Sequence, residues 1–178
     1  MPSLANHQSN QFTKLLLIGD AKSGKTGSLV SLVKAGYKLR ILDFDNLLDI
    51  LKFKAMEECP DKLDNVEFVT VRDNYKAGAS GSQIDGKPKA WITAIKLLDN
   101  WKYDDTDLGR PADWGPDCIL IVDSLSRLCD AAYDSMNPSY HEGNLEIMMD
   151  AQFTETLKMM LKRSWLCLLA GASPPTSS

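Results

Sequence analysis

Residues 14–26 read KLLLIGDAKSGKT, and this stretch decides the fold. Lys14 to Gly19 (KLLLIG) is an apolar run that stops at glycine, the pattern of a strand buried on both faces of a parallel sheet. It opens into Gly19, Asp20, Ala21, Lys22, Ser23, Gly24, Lys25 and Thr26, which fit the spacing G-x-x-x-x-G-K-[ST] without a gap. From Lys25 to Ala35, Leu29, Val30, Leu32 and Val33 make an apolar stripe at helical spacing, and Gly36 follows as a stop. Strand, glycine-bearing loop and helix thus follow in the order that a phosphate cradle requires.

The chemistry explains the spacing. A triphosphate needs several aligned donors close to its oxygens, and glycine lets the backbone curl until consecutive N–H groups point inward. A helix starting near Gly24 adds its positive end. In this P-loop scheme Gly19 to Thr26 bind the nucleotide, Lys25 reaches the β- and γ-phosphates, and the Thr26 hydroxyl is a ligand of Mg²⁺. The bland alternative is an ordinary glycine turn with incidental lysines, and it does not account for a match at every required position.

Downstream, Lys38 to Phe44 reads as a second strand, a helical stretch around Leu47 to Met56 ends before Pro60, and Val66 to Val71 has the β-branched content of a third strand. This alternation is that of an α/β fold with a mainly parallel sheet flanked by helices. Residues 73–89, rich in glycine, serine and lysine, read as an exposed, mobile insertion. Ala90 to Trp101 returns to helical periodicity, and Cys118 to Val122 is an apolar strand closed by Asp123. Leu125 to Met136 and Leu145 to Lys162 are helix-compatible around a turn at Asn137 to Gly143, and Trp165 to Gly171 reads as one more strand. One domain over 14–171 results, with a flexible tail at 1–13 and a disordered one at 172–178.

A P-loop needs an acidic residue from a neighbouring strand to complete the Mg²⁺ shell, and Asp123 stands where one is wanted. The alternative is an Asp at an ordinary strand-end turn. The chain's 178 residues, 44% hydrophobic and 25% charged, suit a single core, and a net charge of -4 supplies no global basic field. Cys59, Cys118, Cys129 and Cys167 form no CxxC pair and, with only His7 and His141, give no zinc spacing; they read as reduced, mostly buried thiols. No apolar run approaches the roughly 20 residues that cross a bilayer, so a soluble cytoplasmic protein with no membrane partner is expected.

With the P-loop, the Asp43-Phe44-Asp45 strand end and the segment from AWITAIKLLDNW to DWGPDCILIVDSLSRL in hand, the chain resembles the phage-type, AAA-family ATPases of the RecA-like P-loop superfamily. The resemblance spans roughly Lys14 to Lys162 and extends to phage recombination and single-strand-annealing ATPases. It implies a RecA-type sheet, ATP and Mg²⁺ as cofactors, and hydrolysis coupled to single-stranded DNA recombination or annealing in a bacterial host cell. A phage recombination protein as partner and a homo-oligomer are implied as well. RecA-like ATPases place their water-activating carboxylate at the end of the strand after the P-loop helix. That makes Asp45 the first candidate for general base and Asp43 the second, both where glutamate is expected; Lys25, Asp45 and Asp123 form the catalytic set. Asp45 as N-cap of a helix beginning near Asn46 is the competing reading. Ser124 stands where AAA+ ATPases carry glutamate, which argues against that branch. Gln152 matches a polar glutamine of the relatives and receives no role. The relatives continue into a strand ending in a polar, often Ser-His, sensor; here RSWLCLLAGASPPTSS reads as an incomplete, truncated or frame-shifted C-terminus, in which hydrolysis suffers more than nucleotide binding.

Two other functions compete. A nucleotide or small-molecule kinase uses the same cradle but wants a lid of arginines, and Arg40, Arg72, Arg110, Arg127 and Arg163 are dispersed, with Arg110 the loop candidate. A non-hydrolysing ATP-binding interaction module needs only the cradle. For DNA, Lys76, Lys87 and Lys89 are candidates for a basic loop, with Tyr75 and Trp91 as stacking groups, against the plain alternative of a solvated loop.

Overall fold

The computed structural model describes residues 14–78, 81–135 and 165–171. The expected tails at 1–13 and 172–178, the turn at 137–143 and the helix at 145–162 with Gln152 lie outside the described residues.

The apolar run before the glycine loop forms β1 (Lys14–Asp20). The helix after the loop comes in two pieces, α1 (Lys25–Ser28) and α2 (Val30–Lys34), divided at Leu29. Then follow β2 (Lys38–Asp43), α3 (Asp49–Glu58), a 3₁₀ turn at Pro60–Asn65 and β3 (Val66–Thr70). Residues 73–89 carry an antiparallel hairpin, β4 (Tyr75–Gly78) with β5 (Gly81–Ile84). Beyond it come α4 (Ala90–Asp99), the two-residue strands β6 (Lys102–Tyr103) and β7 (Thr106–Asp107), β8 (Cys118–Asp123), α5 (Leu125–Ser135) and β9 (Trp165–Gly171).

The main sheet has the order β1-β9-β8-β2-β3, and every pairing in it is parallel. The protein is therefore α/β, with β2 and β8 covered on both faces. Side chains alternate across a strand. On β2 and β8, Leu39, Ile41 and Ile121 face Leu29, Val30 and Val33 of the P-loop helices and Leu51 and Ala55 of α3. Leu42, Leu120 and Val122 face the other way, onto Trp91, Ala94 and Leu97 of α4 and Leu128 and Ala131 of α5. Trp101 closes that second core and meets Trp114 edge to face, ring centroids 5.6 Å apart.

One expectation fails here. β1 is not buried on both faces: it is an edge of the described sheet, Ile18 is 69% exposed, and Leu15 and Leu16 are exposed too. β9 runs between β1 and β8, so the first strand is pushed outward, a placement that no local pattern announces. Cys59 is buried, Cys118 half-buried and Cys129 exposed, so these three thiols are less uniformly buried than expected; the side chain of Cys167 lies outside the described residues. No helix among the described residues is long and apolar enough to cross a membrane.

Candidate nucleotide site

Alternation decides what gathers at the carboxyl edge of the sheet. Asp43 and Asp123 are Cα partners at the ends of β2 and β8. Their odd numbers place both on the face of Ile41 and Ile121, toward the P-loop helices. β1 ends at the same edge, with Asp20 opposite Gly171 of β9. Parallel α/β sheets bind ligands at this edge.

The loop itself is tightly wound. Lys22 and Gly24 hold positive φ of 65° and 89°, and the Ser23 N–H donates to the Asp20 carbonyl at 3.2 Å. Gly24 is the residue before α1 and needs the left-handed conformation that other residues adopt only under strain. A Cβ on Gly19 would come within 2.8 Å of Ser23 Oγ. The Lys25 ammonium folds back over the loop, donating to the carbonyls of Gly19 and Asp20, both at 2.7 Å, and to Ser23 Oγ at 3.2 Å. These are acceptors that phosphate oxygens would replace.

Across the edge, Thr26 Oγ1 donates to Asp123 Oδ2 at 2.7 Å. The two residues named separately as Mg²⁺ ligands are thus in contact. Asp123 is 5% exposed, and burial pushes its pKa up to about 6, against the lowering effect of the Thr26 hydroxyl; the charges of Asp45 and Asp43 raise it further, and Lys25 lowers it. A buried carboxylate that costs this much to ionise, paired with a hydroxyl, is a hard-oxygen donor set of the kind Mg²⁺ takes.

The two candidate bases separate clearly. Asp43 is 1% exposed, and its oxygens are occupied: Oδ1 accepts the Asn46 N–H at 2.7 Å and Oδ2 the Thr70 hydroxyl at 3.4 Å. Desolvation raises its pKa, opposed by the backbone donors of Asn46, Leu47 and Asp45. Asp43 therefore braces the turn after β2. Asp45 stands beyond it, and its Oδ1 accepts from Arg127 Nε at 3.3 Å. The N-cap reading of Asp45 does not hold, because Asn46 turns to a positive φ of 54° and α3 starts only at Asp49, after Leu48.

Beside Asp45 opens a cleft of about 610 Å³, lined by Phe44, Leu47, Arg72, Asp73, Tyr75, Arg127, Asp130 and Asp134 among others. Arg127, in the first turn of α5, pairs with Asp45 and, through Nη1, with Asp130 at 3.3 Å. Tyr75 on β4 donates its hydroxyl to Asp134 at 3.0 Å and is pushed up to about 12, first by burial and then by that carboxylate. Asp73 accepts the N–H groups of Lys89 and Ala90 at 2.6 and 3.1 Å.

For the DNA-facing set the outcome is mixed. Trp91 is 3% exposed inside the α4 core and offers no ring for a base, since an amphipathic helix turned it inward. Lys76 pairs with Asp85 at 2.9 Å; Lys87 and Lys89 are exposed. Arg110 is exposed and lies near Asp113 at 3.9 Å. Arg127 and Asp130 were not singled out from the sequence; the signal was their place in DSLSRLCD, within one or two helical turns of Asp123.

A scan against protein-family models finds no match to this chain, and a search of the curated proteins finds none either.

Proposed function

We propose that the chain binds Mg²⁺-ATP in a P-loop site and hydrolyses it, in a fold of the RecA-like kind. The observation that carries this reading is the 2.7 Å contact from Thr26 to Asp123, which joins the phosphate loop to the acidic strand end 97 residues away. A turn that merely resembled a P-loop would have no reason to meet a buried carboxylate at its threonine. Thr26 and Asp123 would hold Mg²⁺, which when bound neutralises phosphate charge.

The chain's own groups have separable tasks. The loop amides and the start of α1 orient the triphosphate. Lys25 gives up its carbonyl acceptors for phosphate oxygens and compensates charge there. Asp45 accepts the proton of the attacking water as the new phosphorus–oxygen bond forms and the bond to the bridging oxygen breaks, leaving ADP and phosphate. β9 lies between β1 and β8 in the sheet, next to both the phosphate loop and the Asp123 strand end. The link to single-stranded DNA and phage recombination rests on the sequence resemblance.

Steady-state hydrolysis and ATP affinity with Mg²⁺, with and without single-stranded DNA, test the reading. Lys25→Ala is expected to cut both affinity and turnover by at least about tenfold. A folded chain that binds no nucleotide overturns it. A kinase is the second reading, and the cleft beside Asp45 favours it, since about 610 Å³ is room for a small acceptor molecule. Turnover that rises with a small hydroxyl compound and not with DNA selects the kinase.

A further inference from the structure

Arg127 sits at a junction. Its backbone N–H lies 3.5 Å from Ser124 Oγ, so it belongs to the turn that directly follows the metal-binding strand end. Its guanidinium reaches out of that turn to Asp45, two residues past the end of the neighbouring strand β2. A second edge of the same guanidinium is taken by Asp130, one helical turn further along α5. Arg127 is therefore bracketed between a carboxylate that anchors it and a carboxylate that it orients.

Stability does not explain the arrangement. The Arg127 side chain is 61% exposed, that of Asp130 60% and that of Asp45 22%, and an ion pair whose cation lies mostly in water contributes little to folding. Geometry does explain it. Asp45 has a shorter arm than glutamate and lies beyond the rigid end of β2, on a turn where Asn46 takes a positive φ. Left alone, such a carboxylate samples several rotamers. The pair from Nε to Oδ1 occupies one oxygen and leaves Oδ2 to accept a proton from water.

We infer that Arg127 is a positioning residue for the hydrolysis reaction: anchored by Asp130, it holds the Asp45 carboxylate in register with the Thr26–Asp123 metal site. The inference rests on Asp45 being the general base. A misplacement of about 1 Å in a reacting group costs roughly 100-fold, so the pairing is worth more to turnover than to folding.

The test is a double-mutant cycle on the full chain, read as kcat and KM for Mg²⁺-ATP, with urea unfolding as the control for fold. Arg127→Ala is expected to lower kcat about 10- to 100-fold with KM changed less than about twofold, and Arg127→Lys to recover part of the loss. Asp130→Asn should give a smaller fall in kcat with the same unchanged KM. In an Asp45→Asn background, Arg127→Ala should change kcat by less than about twofold, because the group it positions is already gone. If Arg127→Ala instead raises KM and spares kcat, Arg127 is a nucleotide contact and the inference is wrong. A loss that persists undiminished in the Asp45→Asn background also overturns it. If Asp45→Asn alone leaves kcat intact, the general-base reading itself has failed, an outcome that the single variant identifies before Arg127 is considered.

Discussion

Asp123 carries the largest electrostatic tension at the site. Its pKa of about 6 lies above the ordinary value of 3.8, so the folded chain binds a proton more tightly there than the unfolded chain does. The stability this gives is fully present below pH 3.8 and is lost as the pH rises through about 6. The nucleotide-free protein is therefore expected to be less stable at pH 7.5 than at pH 5 through this residue. Asp123→Asn, which keeps an oxygen for Thr26, should raise stability at pH 7.5 by on the order of 2 kcal/mol in urea unfolding. It should also abolish the Mg²⁺ dependence of nucleotide binding. In the unmutated chain, affinity for Mg²⁺ should weaken as pH falls below about 6, since the metal must displace the proton. Titrating Mg²⁺ in the presence of ATP at pH 5 and pH 7.5 checks the sign. A destabilised Asp123→Asn protein would mean that the carboxylate is held by something other than Thr26 and the metal.

The secondary elements divide by how local their causes are. Residues 14–35 were legible because strand, loop and helix are contiguous, and the loop states its chemistry in eight residues. The Cys118–Asp123 strand was legible because an apolar run ending in Asp means something once a P-loop is known. The start of α4 at Ala90 was legible from periodicity, but what caps it was not. Its N-terminal amides are capped by Asp73, sixteen residues upstream and across the β4–β5 hairpin, while Lys89, the residue at the helix start, supplies no side-chain cap. Local rules search the neighbouring positions for a cap and find none. Asp73→Ala is expected to cost about 1 kcal/mol of stability, measured by urea or thermal unfolding, and to leave ATP affinity unchanged. The Asp45 turn failed for a related reason: Asp43, two residues earlier, takes the Asn46 amide and also that of Leu47, which an Asp45 cap would have claimed.

At the scale of the molecule, what the sequence could not convey is strand order. Periodicity finds strands one at a time and carries no information about which lie side by side. That β9 separates β1 from β8 follows from pairings such as Leu17 with Leu168 and Val122 with Cys167, between segments far apart in the chain. Among the described strands of the main sheet β1 pairs with β9 alone, so the proposed phosphate loop depends on a strand that closes from the far side. A chain cut after residue 164 is expected to lose ATP binding, read by equilibrium binding with a matched full-length control. The Arg127 pair and the Thr26–Asp123 contact are legible only once this order is known, because each joins segments set by two different strands of the sheet. The same order sets a timetable for synthesis. Emerging from the ribosome N-terminus first, the chain leaves the backbone of Lys14–Asp20 unpaired in the sheet until residues 165–171 have been translated. Nucleotide capture by the proposed site is then expected only after that strand has emerged, and the nascent segment before it is the one a chaperone would have most reason to hold.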